Sequence, residues 1–120
     1  MPAMDDRPTR APLPAVVERT LGAFVNGVRE RFGARVVAIR LFGSYARGCA
    51  TEESDVDCLV LLDRVDRNDD RAITDLAADL TWQIGGVVVS PIVMSEAEFE
   101  EWKGRERRTP LDIEREGIPL

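Results

Sequence analysis

At 120 residues the chain suits one compact domain built around a single core. Hydrophobic residues make up 44% and charged residues 32%, which excludes a disordered chain, and the longest unbroken apolar run, residues 58–62, is far short of a membrane span of roughly 20 residues. Sixteen basic residues against 22 acidic ones leave a net charge of −6, which argues against a sequence-independent grip on long nucleic acids.

There is no histidine, so Ser–His–Asp triads, histidine bases and histidine metal sites are excluded. Two cysteines, Cys49 and Cys58, are too few for a disulfide framework or a zinc site, and Cys58 reads as a small core residue. Any metal here is expected to be held by oxygen, as a hard cation such as Mg²⁺ is. No basic segment followed by an apolar core opens the sequence, so a cytoplasmic location is the default expectation.

Residues 1–12 combine three prolines and four charged residues with no apolar period, and are expected to be a flexible arm ahead of a domain at 13–120. From Leu13 the pattern changes. Val17, Leu21, Phe24, Val25, Val28 and Phe32 recur at helical spacing, with Pro14 in the first turn and Gly33 as the stop. Residues 35–42, RVVAIRLF, read as a strand with Val37, Ile39 and Leu41 on one face. Gly43 breaks it, and Ser44 is placed to cap a short helical turn ending at Gly48. After a polar loop, residues 56–62 form a nearly all-apolar strand, as expected for one covered on both faces.

Asn68 is placed to cap a third helix bearing Ile73, Leu76, Ala77, Leu80 and Ile84, ended by Gly85 and Gly86. Residues 87–94 form a strand whose Pro91 removes a ladder donor, which puts it at an edge or makes it irregular. Ser95 and Glu98 match a capping box for a helix carrying Phe99 and Trp102. Residues 103–108 read as a charged, solvated linker, and a last short helix runs from Thr109 and Pro110 to Gly117. The order of elements describes a small α/β (α+β) domain with helices on a short sheet.

The chemistry concentrates at residues 43–57. Asp55 and Asp57, two apart in a strand, put two carboxylates on one side with Cα atoms roughly 6–7 Å apart. Such a pair can share one divalent cation or hold two about 3.5–4 Å apart. Gly43 and Ser44 lie where a strand meets a helical turn, whose free N–H groups suit phosphate oxygens. An anion-binding turn beside a carboxylate pair describes a site for a metal nucleotide.

Residues 43–60, GSYARGCATEESDVDCLV, resemble the signature of the DNA polymerase beta-like nucleotidyltransferase superfamily, in particular its minimal, antitoxin-type branch, through Gly43, Ser44, Ala46, Arg47, Gly48, Ser54, Asp55, Asp57 and Val60. The resemblance implies a nucleotidyltransferase fold, a short mixed sheet flanked by helices. It implies Gly43, Ser44, Arg47 and Ser54 at a nucleoside triphosphate, ATP being the first expectation, with Arg47 either touching phosphate or forming a structural ion pair under the turn. Asp55 and Asp57 then hold Mg²⁺ in a two-metal manner, or as a single retained ion, and catalyse transfer of a nucleoside monophosphate to a hydroxyl of a small molecule or partner protein. A third carboxylate is implied on the next strand, where its place falls on Ser90, which cannot act as an anionic base. A HEPN-type helical partner, or a second subunit completing the site, is a further expectation. The alternative is a catalytically silent antitoxin-like or nucleotide-binding module that acts through a partner.

Overall fold

The computed structural model describes residues 12–105 and 108–120, so the expected arm at 1–12 lies, apart from Pro12, outside the described residues. Four strands, β1 (Val36–Phe42), β2 (Val56–Leu62), β3 (Val89–Ser95) and β4 (Ile118–Pro119), form a sheet of order β3-β2-β1-β4. β1 is antiparallel to β2 and β4, while β2 and β3 are parallel and joined through a helix, so the sheet is mixed as expected. The helices are α1 (Ala15–Phe32), α2 (Ser44–Arg47), α3 (Arg67–Ile84), α4 (Glu96–Arg105) and α5 (Arg108–Glu116).

The all-apolar sequence of β2 follows from its central place, since six of its seven residues are buried. Alternation along the strand sends its side chains into two cores. Val56, Cys58, Val60 and Leu62 meet Leu21, Phe24 and Val28 of α1 and Ile73 of α3. Leu59 and Leu61 meet Phe99 of α4 and Ile113 of α5 on the other face. Cys58 is fully buried, and burial pushes its thiol up to about 12, which leaves it an inert core residue as the sequence implies.

Several boundaries differ from the sequence reading, each for a local reason. A register shift between Val36 and Ala38 turns Val37 away from the face it shares by strict alternation with Ile39 and Leu41, and leaves it 45% exposed. α3 begins earlier than an Asn68 cap allows, because Asp66 and Asp69 form a reciprocal capping box in which Asp69 N donates to Asp66 Oδ1 at 2.8 Å and Asp66 N donates to Asp69 Oδ2 at 3.1 Å. The Ser95–Glu98 box is present as expected. α4 runs on to Arg105 through the stretch read as a linker, and Lys103 bridges Glu100 at 2.9 Å and Glu114 of α5 at 2.7 Å. The two-residue β4 is absent from the sequence reading. Leu41 pairs there with Ile118, which returns the end of α5 to the sheet edge beside β1.

Candidate active site

The turn after β1 is built by two glycines. Gly43, at φ 77°, caps α2 and accepts from Arg47 N at 3.1 Å, and Gly48, at φ 74°, closes the helix in the left-handed conformation. Ser44 is therefore the first helical residue and Gly43 the cap, a correction of the expected serine cap. Helix geometry leaves the N–H groups of Ser44, Tyr45 and Ala46 without acceptors inside α2. Tyr45 points into the core and anchors the turn.

Gly43 carries a second constraint. Phe42 pairs with Asp57 across β1 and β2, and a Cβ built on Gly43 would fall on Asp57 Oδ2. Only glycine lets the backbone of the turn lie against that carboxylate, since both the positive φ and the contact exclude a side chain. The turn and the acid singled out in the sequence are thus in direct contact. Asp55 lies just before β2 in the loop and is exposed, while Asp57 is half-buried in the strand.

The carboxyl of Asp57 is held above the usual carboxylate range, first by burial and then by the charge of Asp55, with Arg47 pulling the other way. The site therefore carries negative charge that the protein only partly offsets. Arg47 Nη1 lies 3.7 Å from Glu116 Oε2 at the end of α5, both side chains about half exposed. Arg47 thus pairs with Glu116 of α5, and its charge also acts on Asp57.

Ser54 serves the loop. Its hydroxyl accepts from Thr51 N at 2.9 Å and its N–H donates to Thr51 O at 3.0 Å, which folds residues 51–54 into a turn leading into Asp55. The register of the parallel pair sets Ser90 beside Asp57, the place to which the third carboxylate was assigned. Asp63 is remote, at the far end of β2, and bound to Arg35 at 3.1 Å. Among the described residues, no three or more carboxylates and cysteines form a group able to hold a metal by themselves.

The sequence reading missed the contribution of α5. A cavity of about 210 Å³ beside the turn is lined by Phe42, Gly43 and Arg47 and, from α5, by Thr109, Asp112 and Glu116. Its signal was the Ile118–Pro119 pair, too short to read as a strand, whose pairing with β1 brings α5 to the site. A larger cavity of about 360 Å³ opens beyond α2, between Leu13 and Pro14 and the loop residues Gly48, Ala50 and Thr51.

Comparison with known proteins places this geometry in a family. The sequence model of the nucleotidyltransferase domain matches residues 21–113. The chain is 42% identical over 84 residues to MJ0604 of Methanocaldococcus jannaschii, named provisionally as a protein adenylyltransferase, covering 70% of this chain and 79% of that one. It is 52% identical over 44 residues to the protein adenylyltransferase MntA of Thermococcus cleftensis, over 37% of this chain and 42% of that one, so it spans less than half of that relative. Among solved structures, a mutant of the toxin–antitoxin MntA–HpeT superposes with a TM-score of 0.49 at 25% identity, covering 80% of this chain and 68% of that one.

Proposed function

The chain belongs to the nucleotidyltransferase domain family, and from that premise we propose that it binds a nucleoside triphosphate with Mg²⁺ at the β1–α2 turn and transfers the nucleoside monophosphate to a hydroxyl of a partner protein. The observation that carries this reading is the contact between Gly43 and Asp57, which puts a turn with free N–H groups against a carboxylate whose charge is only partly offset. In this reading the N–H groups of Ser44 and Tyr45 bind the outer phosphates, and Arg47 adds positive charge beside them. Asp55 and Asp57 suit a cation whose remaining ligands are phosphate oxygens, since two carboxylates alone do not complete a site. Such a cation, when bound, neutralises charge on the phosphates and withdraws electrons from the attacked phosphorus.

The reaction forms a bond between the acceptor oxygen and the α-phosphorus, breaks the bond to the bridging oxygen, and releases pyrophosphate. Ser90 beside Asp57 offers no anionic base, and such a base is worth about 10²–10⁴ in rate. Slow turnover is therefore part of the reading, with the acceptor protein supplying what the strand does not. The same register favours a second reading, a silent module that binds nucleotide and acts through its partner. We take 13–120 as the functional domain and the relatives' names as the reason to test a protein acceptor first.

Thermal denaturation with ATP and Mg²⁺ tests the binding step. Ligand at 100 times its dissociation constant adds about 2.7 kcal/mol, and Asp57→Asn should abolish that gain. An absence of any shift with all common triphosphates would reject both readings. Binding without transfer to any co-purified protein would favour the silent module.

A further inference from the structure

Away from this site, β3 forms one edge of the sheet, and its backbone is poorly suited to a further strand. Val56 N donates to Val88 O at 2.8 Å, so in the parallel ladder Val88 and Ser90 turn their backbone groups toward β2 while Val89, Pro91 and Val93 turn theirs outward. The outward N–H of Val89 donates to Thr81 Oγ1 of α3 at 3.3 Å, and Pro91 has none. Pro91 thus costs the sheet nothing and blunts its edge against strand addition.

Beside this edge lies an apolar groove of about 320 Å³, lined among others by Ala78 and Trp82 of α3 and by Val88 and Pro91. Trp82 is 89% exposed and Val88 49%, two of the three large apolar side chains left exposed among the described residues. Exposed apolar surface gathered in this way marks a contact surface. The charge around it is mostly acidic, although Arg71 stands one turn before the groove residue Thr74. From Ala72 to Ile84, α3 carries Asp75 and Asp79 and no basic residue, and its last turn has no cation to offset the negative end of the helix.

We propose that this groove docks an amphipathic helix of a partner protein whose apolar face is flanked by lysine or arginine. A helix satisfies its own backbone, as the blunted edge requires, and its basic flank complements Asp75, Asp79 and the end of α3, with Trp82 able to face a cation. A second copy of the chain docked by the same face would set these aspartates against themselves. Residues 1–11 balance Asp5 and Asp6 with Arg7 and Arg10, so they do not supply the basic flank. An anionic membrane or nucleic acid is repelled by the same acids.

The test is calorimetric titration of the full chain with a synthetic helical peptide bearing leucine on one face and lysine on the other. Its controls are an isomer of the same composition in strict alternation and a version with glutamate for lysine. The helical lysine peptide should bind, and Trp82→Ala should weaken it by about tenfold or more. Asp79→Lys should weaken it too and improve binding of the glutamate peptide. Because Trp82 is almost fully exposed, its removal should leave folding and any shift with ATP and Mg²⁺ unchanged. The proposal is overturned if the helical lysine peptide does not bind or Trp82→Ala binds it equally well. Equal binding of the alternating isomer, which would mean strand addition, or self-association abolished by Trp82→Ala, which would mean a second copy, overturns it as well.

Discussion

Strand β2 has an aspartate near each end, and the protein treats the two in opposite ways. Asp63, just past Leu62, resists a rise from desolvation because Arg35 Nε donates to it at 3.1 Å and Arg64 N at 2.7 Å, and its carboxyl sits below the usual range. The same guanidinium donates to Asp69 at 2.7 Å and to the carbonyl of Arg64 at 2.9 Å, and it lies over the ring of Phe32. Asp57, three residues after the Thr51–Ser54 turn, faces another carboxylate and receives no such fork. Charges that serve only the fold are paired within it. The unpaired end is where a cation and an anion from outside would complete the account.

The largest effect should come from closing the contact that makes the unpaired end a site. Gly43→Ala places a methyl on Asp57 Oδ2 and forces a side chain into φ 77°, so stability should fall by about 2–4 kcal/mol and any shift with ATP should vanish. Chemical denaturation and the ATP titration measure both. Retention of the ATP shift would show that the turn need not lie against the acid.

Ser90→Asp sharpens the comparison by adding to the excess of negative charge. A carboxylate abreast of Asp57, on a strand about 4.8 Å away, should lower the melting temperature in chelator and raise it more steeply than wild type when ATP and Mg²⁺ are added. Transfer to a protein acceptor should rise, by up to about 10²–10⁴ if the missing base is what limits it. Equal slopes for both proteins would place the cation elsewhere.

Much of this was open to reading from the residues, and what was hidden had a physical cause. The apolar run of β2, the Gly43–Ser44 turn and the position of Ser90 rest on local pattern and simple counting, and the register sets Ser90 beside Asp57. The Asp66–Asp69 capping box escaped because a nearby Asn68 offered an equally good local cap. β4 and the arrival of α5 at the turn depend on contacts almost eighty residues apart in sequence, as between Leu41 and Ile118, which no short window records. The contact of Gly43 with Asp57 is likewise tertiary, although both residues stand out in the sequence.

The two ends should also answer oppositely to pH. Carboxyls below their usual values, as at Asp63 and Asp69, add stability that is complete above the ordinary carboxylate range and is lost as pH falls through it and below. The raised carboxyl of Asp57 acts in reverse, since between its ordinary and raised values the folded protein binds more protons and loses stability as pH rises. Arg35→Met should therefore lower the melting temperature most at neutral pH and flatten the acid limb. Asp57→Asn should raise the melting temperature at neutral pH and leave that limb intact. Melting curves from mildly acidic to neutral pH separate the two.

The smallest expected effect is the most discriminating. Asp55 is exposed, and its charge is the second cause of the upward shift at Asp57, after burial. Asp55→Asn should therefore bring the Asp57 carboxyl part of the way down, with burial holding the rest above the usual range. Carboxyl-detected NMR titration follows that one group directly. A complete return to the ordinary value would mean that repulsion between the pair, not burial against Gly43, makes this end of β2 unlike the other, and that a cation would be held by the pair rather than by the turn and the strand together.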